Sequence, residues 1–193
     1  MSLCITGCDI ETTGLDQSKG AQIIEVGFSV YLTDDGVNFE HVNSYLQRCK
    51  PTVPIEIGAQ HTHGITLADL AHEPGWTDIA PDVYGIVEKT DLMVCHNVEF
   101  DVPFLALELI RIGFKVPNFT TFCTMQNGRT ATSLGKLPNL GELCWAFGVD
   151  YDADSAHAAD YDIDKTMQCF FKGIEKGYFT VPAINRLLLK EAS

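Results

Sequence analysis

The chain has 193 residues, 46% hydrophobic and 20% charged, with 13 Lys and Arg against 26 Asp and Glu for a net charge of −13. That length and composition suit a single domain spanning residues 1–193, and they exclude disordered, collagen-like and repeat architectures. The acidity excludes a broad basic face for nucleic acid, though bound cations can cancel carboxylates locally and admit a phosphate.

No apolar run approaches the roughly 18 residues of a membrane span. The amino terminus lacks the basic and apolar regions of a signal peptide, so the expectation is a soluble, cytoplasmic protein with no membrane partner. The 7 cysteines are an odd number with no paired CxxC spacing, which fits buried thiols rather than a disulfide framework or a zinc knuckle.

In chain order, residues 3–10 read as a short apolar strand ending in carboxylates. Residues 22–31 are rich in β-branched and aromatic types, and Asp34, Asp35 and Gly36 signal a turn. Residues 39–49 then complete an antiparallel hairpin. Residues 55–81 read as short helical pieces and loops. A helix follows over 78–89, then a buried strand at 92–95 and a helix over 100–112 closed by Gly113. Residues 119–125 suit a last strand, and 126–135 a mobile polar loop. A helix over 140–147 ends at Gly148, and Ile163, Met167, Phe170, Phe171 and Ile174 mark the buried stripe of another. Residues 178–189 complete the fold. Strands followed by strand–helix alternation give an α/β domain on a mixed sheet.

Three segments place carboxylates where chemistry is possible. Asp9 and Glu11 lie two apart on a strand and therefore share a face. A bare pair of this kind is more often a solvated strand end. His96, Asn97, Glu99, Phe100 and Asp101 follow the buried strand, where α/β folds tend to place sites, although an acid in a first helical turn is also ordinary dipole chemistry. His157 and Asp162 could meet only with His157 on a loop and Asp162 in the first turns of a helix. The acidic stretch 150–164 could equally be a surface loop. It is not an EF-hand, since Ser155 and Tyr161 stand where Gly and Glu are required. His61 with His63 lacks the second ligand pair of a zinc site. His41 and His72 have no partner pattern.

Together the three segments resemble the DnaQ-like, DEDDh-type 3′→5′ exonucleases, on the branch of the proofreading epsilon subunits and exonuclease X. The first motif is similar over residues 9–15, the second from His96 to Asp101, and the third from His157 to Asp162. His63 to Thr66 and Cys123 to Met125 are similar to the segments between. The likeness spans about residues 3–175. It implies an RNase H-like fold with a central five-stranded mixed sheet. It also implies that Asp9, Glu11, Asp101 and Asp162 hold two divalent ions, Mg²⁺ or Mn²⁺, with His157 as general base. Thr12, Thr13, Gly14 and Leu15 would meet the 3′-terminal nucleotide, with Phe100 near its base and His63 and Asn97 as further contacts. Arg129 and Lys136 are candidate cations at the rim.

The expected reaction is hydrolysis at nucleic-acid 3′ ends, single-stranded DNA ahead of RNA, releasing nucleoside 5′-monophosphates. Short-RNA degradation and a proofreading or scaffold role beside a DNA polymerase are the alternatives. The chain ends about 30 residues past the last motif, which favours a free-standing enzyme over one with a polymerase-docking tail.

Overall fold

The computed structural model describes residues 2–133 and 135–191. The first apolar run becomes β1 (Leu3–Thr12), two residues longer than its apolar pattern, with an irregularity in register between Glu11 and Thr12. The hairpin is β2 (Ile23–Thr33) and β3 (Glu40–Arg48), antiparallel as expected. Next come α1 (Ile57–His63) and α2 (Trp76–Val87). The second of these starts ahead of residue 78 because the Asp78 carboxylate accepts the Gly75 N–H at 2.9 Å and caps the helix earlier. The buried strand β4 (Leu92–Cys95) leads into α3 (Val98–Arg111) and then β5 (Thr120–Cys123). The chain continues through α4 (Thr124–Asn127), α5 (Leu140–Phe147), α6 (Ala159–Glu175) and α7 (Pro182–Glu191).

The strands lie in the order β3-β2-β1-β4-β5. β1 is antiparallel to β2 and parallel to β4, and β4 is parallel to β5, so this is the five-stranded mixed sheet of an RNase H-like fold. The two-residue period of β1 sends alternate side chains to two cores. Ile5 joins Leu143, Phe147, Ile163, Met167 and Phe170 of α5 and α6. Cys8 and Ile10 join Val83, Val87, Phe104, Leu105 and Leu109 of α2 and α3 on the other face. Full burial of each such side chain is worth about 1.5–3 kcal/mol, and these contacts fix both helical layers.

One layer approaches the sheet unusually closely. A Cβ at Gly7 would stand 2.7 Å from Met167 Cγ, and one at Gly27 would stand 2.5 Å from Ile163 Cδ1. These two glycines let α6 lie down on β1 and β2. Residues 126–135 depart from the expected loop. Thr124 to Ala131 wind into helical turns, and Gly128 is buried where a Cβ would meet Leu143. Leu134, within the expected mobile loop, lies outside the described residues.

Candidate active site

The candidate site lies in the crevice expected at the carboxyl end of β1 and β4, with α3 packed on one face of the sheet and α6 on the other. Open α/β sheets place functional sites at such switch points. By the two-residue period, Asp9 and Glu11 share the face of β1 that Gly7 turns toward α6. Asp101 enters from the first turn of α3, which is anchored by the Asn97 carbonyl accepting N–H bonds from Phe100 and Asp101. Asp162 enters from the first turn of α6.

Burial pushes the Asp9 carboxyl well above its usual range, and the charges of Asp101, Glu11 and Asp162 push it further. Burial also lifts Glu11 to about 8, with Glu25, Asp162 and Asp101 adding to the effect. Asp101 is only 3% exposed, and burial pushes it up to about 8 against a hydrogen bond from the Cys95 thiol. Asp162 is raised by burial and drawn back by the His157 N–H. Asp9 and Glu11 on β1 therefore feel the charges of Asp101 and Asp162, which come from two other segments.

As placed, no three His, Cys, Asp or Glu side chains among the described residues are gathered tightly enough to coordinate one ion. The donor chemistry nonetheless suits a hard divalent cation. Every donor is a carboxylate oxygen, and Asp162 Oδ1 is buried with no hydrogen-bond partner.

His157 stands on the loop before α6, as its spacing from Asp162 requires, and its ring is exposed. Its φ is 65°, the left-handed region that L-residues other than Asn, Asp and His seldom enter. Its backbone N–H donates to Asp162 Oδ2 at 3.2 Å, which ties the loop to the helix. His63 comes close enough for the two imidazoles to influence each other, but both of its ring nitrogens are engaged. Nδ1 accepts the Ile65 N–H at 3.0 Å, so the proton belongs on Nε2, which faces the Thr12 carbonyl at 3.2 Å. Burial lowers the His63 pKa, which keeps that ring neutral.

The turn after Glu11 is built from its own side chains. Thr12 Oγ1 donates to the Gly14 carbonyl at 2.8 Å, and Thr13 Oγ1 accepts the Gln22 N–H at 2.9 Å; both threonines are buried. Gly14 lies under the Glu56 carboxylate, where a Cβ would stand 2.5 Å from Oε1. Leu15 is 79% exposed and, with Gln17, Phe100 and Phe104, borders an open cleft of about 330 Å³. Asn97 is exposed beside α3. Lys136 is ion-paired with Glu142, and Arg129 is exposed.

Sequence reasoning passed over Glu25, which is 3% exposed. The signal was a lone carboxylate inside the apolar run Ile23, Ile24, Val26 and Phe28. Acids are almost never fully buried without a partner. His96, which follows β4, is pushed down to about 4 by burial and bonds Thr124 through Nδ1 at 2.9 Å.

The strand order and the acidic crevice at its switch point define an RNase H-like exonuclease domain. Residues 6–170 match the exonuclease family of the RNase T type, and the chain belongs to that family. Exonucleases of this family depend on divalent metal. The chain is similar to the DNA polymerase III subunit epsilon of Buchnera aphidicola (subsp. Acyrthosiphon pisum), with 32% identity over 161 residues, 80% of this chain and 65% of that protein. It thus spans a little under two thirds of that relative's length. Exonuclease X in complex with 5′-overhanging duplex DNA shares the fold at a TM-score of 0.65, with 23% identity, covering 95% of this chain and 99% of that one. The zinc-bound form of the E. coli exonuclease I complex with single-stranded DNA has a TM-score of 0.74 and 18% identity, covering 91% of this chain and 41% of that one.

Proposed function

We propose that this domain is a 3′→5′ exonuclease that hydrolyses the terminal phosphodiester of single-stranded DNA and releases nucleoside 5′-monophosphates. The observation that carries the reading is the placement of half-buried Asp9 and Glu11 on one face at the carboxyl end of β1, where the charges of Asp101 and Asp162 act on both. These four residues would hold two divalent ions, Mg²⁺ or Mn²⁺. Such ions, when bound, offset charge on the phosphate and steady the attacking and leaving oxygens. His157, exposed at the crevice mouth, takes the proton of the attacking water at its imidazole as that oxygen bonds to phosphorus and the bond to the 3′ oxygen breaks. Leu15, at the end of the Thr12–Leu15 turn, and Phe100 border the cleft that would receive the last nucleotide, where aromatic packing tolerates any base.

Two observations on relatives favour DNA as substrate: exonuclease X and exonuclease I are both described in complex with DNA. The epsilon-subunit relative supports a second reading, in which the same activity proofreads beside a DNA polymerase. The test uses 5′-labelled single-stranded DNA and RNA of equal sequence, with Mg²⁺ or with EDTA, resolved by length. Progressive shortening from the 3′ end in Mg²⁺ alone, faster for DNA, is expected. An unchanged DNA ladder in Mg²⁺ contradicts the activity, and faster loss of RNA contradicts the substrate.

A further inference from the structure

Glu11, Glu25 and Arg48 stand in register across three neighbouring strands. Glu11 pairs with Glu25 between β1 and β2, and Glu25 pairs with Arg48 between β2 and β3. Glu25 is 3% exposed, and its two carboxylate oxygens go to different elements. Oε2 accepts the Arg48 Nε–H at 2.5 Å, and Oε1 accepts the backbone N–H of Ala159 at 3.4 Å. Ala159 is the first residue of α6, two residues after His157 and three before Asp162.

Both oxygens of Glu25 are turned to protein donors rather than left open to an ion. Its placement instead ties the start of α6 to the strand beside the one that carries Asp9 and Glu11. The helix needs such a tie. Gly27 allows close approach at Ile163, but close approach alone does not stop a helix from sliding along the sheet. A directional bond at its first N–H does, and a carboxylate bound to an arginine on the next strand has little freedom to follow the helix.

We propose that Glu25, oriented by Arg48, is a positioning residue: it fixes the amino terminus of α6, and with it His157 and Asp162, against the strand carboxylates Asp9 and Glu11. The proposal rests on the exonuclease reading for its catalytic consequence but not for its structural one. Partners that orient ligand side chains at such sites typically matter 10–100-fold, so a loss of that size in kcat is the expected scale.

The experiment compares the parent chain with Glu25→Gln and Arg48→Lys. The amide of Glu25→Gln has a single acceptor oxygen and cannot serve both partners. Arg48→Lys keeps the charge, loses the planar fork and disturbs the fold less. Amide hydrogen exchange without metal is followed by mass spectrometry. In Glu25→Gln, residues 157–163 should exchange at least about tenfold faster while α3 and β4 keep their protection. Arg48→Lys should show the same pattern more weakly. On 5′-labelled single-stranded DNA, kcat should fall about 10–100-fold for Glu25→Gln and less for Arg48→Lys, with KM within about twofold for both.

Unchanged exchange at 157–163 overturns the proposal. So does faster exchange spread evenly over the chain in both variants, which would make the pair a general stabiliser. Parent-like kcat in a variant whose 157–163 segment is loosened also overturns it. If the parent chain itself does not cleave DNA, the exonuclease reading fails, and the exchange comparison still decides whether Glu25 anchors the helix.

Discussion

The two halves of the crevice are built by opposite means. Asp9 and Glu11 belong to a central strand paired on both sides, and Asp101 to the first turn of a helix that leaves the neighbouring strand directly. Their positions follow from sheet register, and the cost appears as like charges forced together under cover, with Glu11 and Asp101 both pushed up to about 8. His157 and Asp162 come instead from an exposed loop and the helix it begins, with a left-handed residue at the junction. Among the bonds that tie that half are the His157 N–H to Asp162 and the Ala159 N–H to Glu25. The contrast suggests a division of labour. On the proposed function, the strand half would concentrate negative charge at a fixed point, and the helix half would bring the proton acceptor and the last carboxylate to it.

The largest effect should come from the fixed half. Asp101→Asn removes a buried charge with little change of shape, and kcat on single-stranded DNA should fall by about 10⁴-fold or more, corresponding to several kcal/mol of transition-state stabilisation. The same variant should melt higher than the parent when both are metal-free near pH 8, because one repelling charge is gone. A variant with near-parental kcat would place the chemistry elsewhere.

The helix half should respond differently. His157→Ala should lower kcat by about 10²–10⁴-fold with the Tm hardly moved, since the side chain is exposed. His157→Gly should be equally inactive yet more stable than the alanine variant by up to about 1 kcal/mol, because φ of 65° strains alanine and not glycine. Equal stability of the two variants would mean that the left-handed junction relaxes at no cost.

Much of this division was legible in sequence. The spacing of Asp9 and Glu11, and the requirement that His157 precede the helix bearing Asp162, follow from strand and helix periods, and the structure keeps both. The 140–147 helix and the 92–95 strand were delimited by Gly148 and by an uninterrupted apolar run. What escaped depends on partners distant in sequence. Glu25 reads locally as an interruption in a strand, and only cross-strand register reveals its companions Glu11 and Arg48. Gly7 and Gly27 read as weak strand residues, whereas close packing against Met167 and Ile163 is the reason for them. The polar stretch after Cys123 lacked apolar periodicity, yet Gly128 packs beneath Leu143 and carries helical turns.

A smaller effect separates the halves by pH. Glu11 and Asp101 titrate near 8 when folded but near 4 when unfolded, so the folded chain holds more protons between those values. Stability from these groups is full below about pH 4 and declines as pH rises through about 8. The metal-free Tm should therefore fall from pH 5 to pH 9, and Asp101→Asn should flatten the decline. The exposed carboxylates that hydrogen bonds hold low, Asp16, Asp69 and Asp152 among them, act in the opposite direction and below this window. A Tm that is flat or rising over this range would mean that the crevice carboxylates are not crowded.

On the proposed function, three segments of sequence make one divalent-cation site. Titration of the chain with Mn²⁺, followed by electron paramagnetic resonance of the free ion, tests it most directly. Two ions should bind the parent chain, and Asp9→Asn, Asp101→Asn and Asp162→Asn should each lose at least one of them, whereas His157→Ala should keep both. Stoichiometric Mn²⁺ binding that survives all three carboxylate replacements, or none by the parent chain, would contradict the account.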